Sequence, residues 1–387
     1  VKDTIRLGSL RGIKVGLNWS LLVIAVLLAI GLAQNRLPYD VPGDTTAAYD
    51  VAGGITAVAL LVAVLLHELG HALVARRAGM KVDGITLSWL GGITRIEGDT
   101  TSPRVEFAIS TVGPAVSLAV GGLLGLVRLG VEQGGGHHLV VSSLGWLAVI
   151  NVALAVFNLV PASPLDGGRV LHSVIWGVTG DRWRATRYAS RAGIGLGAIM
   201  VFYGFTQLFS TGNSFDGFVL SVLGFWILSS ARAEEQAGQI QSVLEPLRIA
   251  ELMRPVGSAP GWITVRTFIE NYDSPRPGWV WLLERWNEPG YDGIVAGEAL
   301  RMLPPQQWDS ARPRDLAVPA DAAAPARANE TVLDALRRTN GRQVLLVIED
   351  GRTVGAVLPS DIQAALQTGR RTSRRGQTPA GAGSRLP

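Results

Sequence analysis

Apolar residues in the first three-fifths of the chain fall into long runs, separated by short stretches rich in Gly, Pro and Arg. A hydrocarbon core about 30 Å thick takes roughly 20 apolar residues to cross as a helix. Runs at residues 17–33, 51–75, 105–127, 139–160, 192–209 and 215–230 meet or approach that length, which predicts about six transmembrane helices. Between the second and third runs the period changes. Ile85, Leu87 and Trp89 alternate with Thr86 and Ser88, and Gly91-Gly92 offers a turn before Ile93 and Ile96. That is the period of strands, so a short re-entrant β-hairpin is expected there, with an edge able to take up an extended peptide near Gly91 and Gly92. An ordinary cytoplasmic loop is the plainer alternative.

The charges between the runs orient them. Residues 1–16 carry Lys2, Arg6, Arg11 and Lys14, the second run stops at Arg76-Arg77, and Arg182, Arg184, Arg187 and Arg191 precede the fifth. The loop 35–50 is acidic instead, with Asp40, Asp44 and Asp50 against Arg36. The positive-inside rule then predicts a multi-pass protein of the cell (plasma) membrane with both termini cytoplasmic. A basic start before an apolar stretch also describes a signal peptide. The later spans, and Trp19 where an interfacial anchor belongs, favour a retained first span.

From Ala231 the composition turns soluble. Residues 233–248 read as a linker and residues 249–368 as a weak internal duplication. Residues 369–387, rich in Arg, Gly and Ser, read as a disordered basic tail that meets anionic lipid. The whole chain of 387 residues is 48% hydrophobic and 17% charged, a mixture that suits a membrane half and a soluble half. It has no cysteine, so any zinc site must use His, Asp or Glu. The formal charge of +4 is small and its arginines flank apolar runs, which argues against a nucleic-acid face.

The second run contains His67-Glu68-Leu69-Gly70-His71. Positions i and i+4 share a helix face, so His67 and His71 can grip one metal ion, with Glu68 beside them as general base toward an activated water. At 1.5 Å per residue His71 lies about 8 Å and His67 about 14 Å inward from Arg76, in the cytoplasmic half of the bilayer. The fourth run ends in Asn158-Leu159-Val160-Pro161-Ala162-Ser163-Pro164-Leu165-Asp166-Gly167-Gly168-Arg169. Two prolines break the helix, and broken backbone at membrane depth is tolerated where it lines a cavity. Asp166 is the carboxylate that a zinc with two histidines still lacks. By itself it would read as the cap of a helix over residues 167–176; paired with the histidines, the ligand reading is preferred. His137 and His138 read as a solvated loop, His172 as a wet helix position, and Arg169 as a residue snorkelling to headgroups.

The order and membrane setting of these two motifs resemble the site-2 proteases, intramembrane zinc metalloproteases, over residues 1–232. Residues 249–368 resemble a pair of CBS (cystathionine-β-synthase-type) domains. The resemblance implies a polytopic α-helical membrane domain plus a C-terminal α/β CBS-pair domain. It implies one Zn2+ per chain on His67, His71 and Asp166, Glu68 as catalytic base, and Asn158 near the substrate or oxyanion. The substrate implied is a membrane-anchored protein cut within its membrane span. In many members an asparagine follows the Gly-Pro of the third segment; here Ser117 stands at that position. CBS pairs bind adenine nucleotides through a Gly-x-x-Thr-x-x-Asp stretch and also provide a route to a homodimer. The second unit keeps Asp361 but not the Thr, and the first lacks the Asp. Two other readings compete: a CBS-gated transporter or channel with a metal site, and another class of membrane zinc protease whose third ligand is a glutamate. No downstream glutamate in an apolar helical frame matches Asp166.

Overall fold

The computed structural model describes residues 5–10, 12–88, 91–96, 98, 100–209, 214–274, 276–339, 342 and 344–375. Contacts divide the chain into two units, Val1–Gly238 and Gln239–Pro387.

The first unit opens with strands β1 (Ile5–Leu10) and β2 (Ile13–Leu17), where charge alone suggests only a basic lead. Ile13 and Val15 are buried while Lys14 between them is exposed, the alternation of a half-buried strand. Asn18 then caps α1 (Trp19–Gly31) by accepting from the Ser20 amide at 3.1 Å. A π turn at Leu32–Arg36 carries α1 into α2 (Leu37–Asp40), so the first apolar helix runs unbroken from Trp19 to Asp40. Thr45 caps α3 (Thr46–Arg77). Next come β3 (Val82–Ser88) and β4 (Gly91–Ile96). Then follow α4 (Pro103–Gln133), α5 (His138–Asn158), α6 (Asp166–Thr179), α7 (Arg182–Leu208) and α8 (Ser214–Leu244).

Among the described residues five helices are long and apolar enough to cross a membrane: α1–α2, α3, α4, α5 and α8. The expected fifth span lies on α7, whose first turns hold Arg182, Arg184, Arg187 and Arg191, and α7 is not among the five. The helices turn large apolar side chains outward, among them Leu27, Val58, Leu126, Val149 and Phe202. Water would not tolerate so continuous an apolar surface.

The four strands form one sheet in the order β1-β2-β3-β4. Where the hairpin is expected near residue 85, β3 and β4 pair antiparallel, with Ile85 opposite Thr94 and Ser88 opposite Gly91. Gly91 and Gly92 do not form its turn; they are paired within β4, and Trp89 and Leu90 between the strands lie outside the described residues. On its other side β3 runs parallel to β2, so close that a Cβ on Gly84 would sit 2.8 Å from the Lys14 carbonyl. Ile13, Ile85 and Leu87 pack with Leu21 and Ala72 in a buried cluster that also takes in Leu65 and Leu69, which seats the sheet on α3.

The second unit makes the internal duplication visible. After α9 (Ile249–Leu252), β5 (Arg254–Pro260) leads through α10 (Val265–Phe268) to β6 (Val280–Glu284), then β7 (Tyr291–Ala296) and α11 (Gly297–Arg301). After β8 (Val318–Pro319), β9 (Ala323–Ala326) leads through α12 (Val332–Arg338) to β10 (Val344–Glu349), then β11 (Arg352–Val357) and α13 (Pro359–Arg375). Each half is a strand, a helix, a parallel strand, an antiparallel return and a closing helix. The halves join through β5 and β11 into a sheet ordered β8-β7-β6-β5-β11-β10-β9. α13 continues to Arg375, past residue 368, the expected end of this region, and the rest of the basic tail lies outside the described residues.

Candidate metal centre

On α3, His67 and His71 lie one turn apart, and their Nε2 atoms are 3.2 Å from each other. Asp166, the first residue of α6, brings Oδ2 to 3.2 Å from His67 Nε2 and 3.3 Å from His71 Nε2. The three are the one His/Asp/Glu cluster with metal-binding spacing among the described residues. Both Nδ1 atoms turn away from this point. That of His71 is 2.6 Å from the Ile109 carbonyl, and that of His67 is 2.9 Å from Ser117 Oγ. A carbonyl can only accept, so His71 carries its proton on Nδ1 and presents a lone pair at Nε2. The same tautomer at His67 lets Ser117 Oγ accept from its Nδ1. With both rings neutral, two lone pairs and a carboxylate oxygen converge, a donor set that a cation between them satisfies.

A tetrahedral zinc with ligands at about 2.0–2.1 Å has ligand–ligand edges of about 3.3–3.4 Å, close to the spacings here. Gly113 on α4 makes the room: a Cβ there would stand 2.2 Å from His71 Nε2 and 2.6 Å from His67 Nε2. The residues present therefore fit a zinc ion with one position left open for water or substrate.

Asp166 reaches this point because the broken segment before it is held tightly. A Cβ on Gly167 would meet the carbonyls of Leu159 and Val160 at 2.3 Å, and one on Gly168 would meet the Ser163 amide at 2.4 Å. Gly193 of α7 lets that helix pass against the Ser163 carbonyl, where a Cβ would come within 1.9 Å. The Ser163 amide donates to the Ala189 carbonyl at 3.1 Å, and the Ser163 hydroxyl donates to Glu234 on α8.

Glu68 is buried beside the histidines, and its Oε2 accepts a hydrogen bond from Thr94 Oγ1 at 2.8 Å. The triad, Glu68 and Thr94 line a cavity of about 900 Å³ together with Asn158, Arg169 and Trp226. Asn158 turns its amide to the Leu154 carbonyl at 3.0 Å while lining that cavity. Arg169, expected to snorkel to headgroups, lines it as well. His172 is not a wet surface position: it is buried and its Nδ1 lies 3.0 Å from Glu106 Oε2. Gly91 and Gly92 belong to the strand that carries Thr94.

Asp361 belongs to the second unit. Its Oδ1 accepts from Arg254 Nε at 2.7 Å and its Oδ2 from the Leu358 amide at 2.9 Å, while Arg254 also reaches Glu298. Partial burial works against the Arg254 charge, but Asp361 and Glu298 outweigh it and raise the guanidinium pKa above its ordinary value.

Two residues of this arrangement, Gly113 and Thr94, are not legible as site residues in the sequence. The signal for Gly113 lies in Gly113-Pro114, which reads only as small residues at a helix contact. Thr94 has no signal beyond its place in a strand.

A multi-pass membrane fold in which two buried histidines and an aspartate converge beside a glutamate defines a membrane-embedded metallohydrolase. The model of Peptidase family M50 matches residues 55–134 and 132–202. A protein of Mycobacterium tuberculosis named as the zinc metalloprotease Rip3 is 35% identical over 94% of this chain and 92% of its own length. The chain belongs to peptidase family M50, the site-2 proteases, and is an intramembrane zinc metalloendopeptidase acting on membrane-embedded protein substrates. The solved site-2 protease from Methanocaldococcus jannaschii is 28% identical, with 60% of this chain and 94% of that one covered and a TM-score of 0.41. The CBS domain of a bacterial CNNM/CorC family Mg2+ transporter covers 38% of this chain and 93% of its own, at 15% identity and a TM-score of 0.24.

Proposed function

We propose that His67, His71 and Asp166 hold the zinc ion and that Glu68 is the general base of peptide-bond hydrolysis within transmembrane segments. The observation that carries this is the convergence of three acceptor atoms within 3.3 Å of one another, in a cavity that Glu68 also lines. Zinc, when bound, would act as a Lewis acid and lower the pKa of water to about 7. Ser117 and the Ile109 carbonyl orient the two rings, Gly113 clears the space between them, and Glu68 takes the proton from the attacking water. Returned to the departing amine, that proton completes hydrolysis. Asn158 steadies the substrate carbonyl from the cavity wall.

A helical substrate hides its carbonyls in its own hydrogen bonds and must unwind locally to be cut. β4 is an edge strand of its sheet, and pairing along it, beginning at Gly91 and Gly92, holds the unwound segment extended beside Glu68. In this reading α7 supplies a sixth crossing, both termini are cytoplasmic and the protein resides in the plasma membrane. Residues 1–232 form the protease, 233–248 the linker, 249–368 a CBS pair able to form a homodimer, and 369–387 a basic tail. An adenine nucleotide at the pair would contact Asp361 and would compete there with Arg254.

The test is zinc content and turnover of the purified full-length protein. Glu68→Gln abolishes cleavage and keeps one zinc per chain, whereas His67→Ala and Asp166→Ala lose the metal. Retained turnover in Glu68→Gln refutes the assignment of the base.

A further inference from the structure

A general base must be aimed as well as present. A glutamate has three rotatable side-chain bonds, and holding it in one rotamer costs conformational entropy. Among the described residues the Glu68 carboxylate has one side-chain hydrogen-bond partner, the hydroxyl of Thr94. That hydroxyl lies 2.8 Å from Oε2 and 3.4 Å from the Glu68 carbonyl. Its single proton goes to the carboxylate, because 3.4 Å is at the outer limit for a hydrogen bond.

Thr94 is itself held firmly. It stands opposite Ile85 in the register of β3 and β4, and Ile85 is fully buried against Ala72 of α3. Glu68 and Ala72 are four residues apart and share a helix face, so the contact that seats the sheet also places Thr94 over the carboxylate. Tying down Oε2 leaves Oε1 as the oxygen for the water.

We propose that Thr94 is a positioning residue for the general base: its hydroxyl fixes the Glu68 carboxylate toward the cavity, from the strand beside which the substrate lies. This rests on Glu68 being the base. The hydroxyl matters and the side-chain bulk does not, so an isosteric valine is the diagnostic change. A hydrogen bond to a charged group is worth enough to change a rate by roughly ten- to a hundredfold.

The test uses full-length protein in detergent and a synthetic transmembrane-helix peptide selected for turnover by the wild type. Thr94→Val should lower kcat by roughly ten- to a hundredfold, leave KM within about twofold, and leave zinc content unchanged. Thr94→Ser, which keeps the hydroxyl, should restore most of kcat. The inference is overturned if Thr94→Val keeps kcat within about twofold of wild type, if KM rises instead, or if Ser is as impaired as Val. Turnover by Glu68→Gln alone would overturn the base itself, so the two failures are told apart.

Discussion

Replacing Gly113 by alanine adds a single methyl group and tests the metal centre directly. The new Cβ would stand 2.2 Å from His71 Nε2, whereas ordinary contact begins at 3.4 Å, so that ring must retreat by about 1.2 Å. His67 Nε2, at 2.6 Å, must give way by about 0.8 Å. Neither ring can do so freely, since His71 is held at Nδ1 by the Ile109 carbonyl and His67 by Ser117. Zinc sites tolerate ligand displacements of only about 0.2 Å. The substitution should therefore lower zinc affinity by more than the 10- to 100-fold typical of losing a ligand's supporting hydrogen bond. Local helix energetics point the other way, because alanine is favoured over glycine in a helix by about 1 kcal/mol. Helical content should thus be kept while the metal is lost. Zinc per chain by elemental analysis, read beside circular dichroism, separates the two effects. Gly122→Ala is the control on the same helix, with nothing within 4 Å of its Cβ, and should bind zinc normally. Full zinc in Gly113→Ala would refute the proposed ligand geometry.

Two further substitutions probe the supports of the ligands. Ser117→Ala leaves His67 Nδ1 without its 2.9 Å partner and should weaken zinc binding about 10- to 100-fold in competition with a chelator, while Ser117→Asn, which keeps a polar partner, should lose less. Gly193→Ala presses a Cβ to within 1.9 Å of the Ser163 carbonyl, a backbone atom that no rotamer change relieves, so the segment bearing Asp166 should shift and zinc content should fall; Gly195→Ala, with open space around its Cβ, should be silent in the same measurement.

Local chemistry explains why part of this site could be read directly from the chain. His67 and His71 announce themselves because helical spacing alone puts them on one face. Asp166 follows because Pro161 and Pro164 end an apolar run abruptly, and backbone broken at membrane depth must line protein or a cavity. Ser117 stands out as a departure from the family's asparagine, and it sits 2.9 Å from His67 Nδ1. The strands at Ile5–Leu10 and Ile13–Leu17 are harder to read, although Ile13, Val15 and Leu17 alternate as cleanly as Ile85 and Leu87. The second of them joins the sheet through the parallel strand Val82–Ser88, far along the chain and beyond two apolar helices, and no local pattern names so distant a neighbour. The basic residues interleaved with them point to a membrane flank instead. The duplication of the second unit is likewise clear in its strands and hairpins, yet blurred at β5 and β9, which are rich in Pro, Gly and Ala.

The arrangement of the first unit also shows why so much of its sequence is small. His67, Glu68 and His71 share one helix, and Asp166 opens another that must approach it within hydrogen-bonding distance. Gly113, Gly167, Gly168 and Gly193 each stand where a single methyl would collide with a ring nitrogen or a peptide group of that assembly. In lipid there is no hydrophobic drive to press helices together, so close packing through small residues supplies the attraction. The same residues that hold the bundle together therefore set the ligand distances. Substitutions at these glycines should register in zinc content before they register in folding. A helix glycine outside the assembly, such as Gly122 or Gly195, has no such burden, and the difference between the two sets separates a site built by packing from one that packing merely contains.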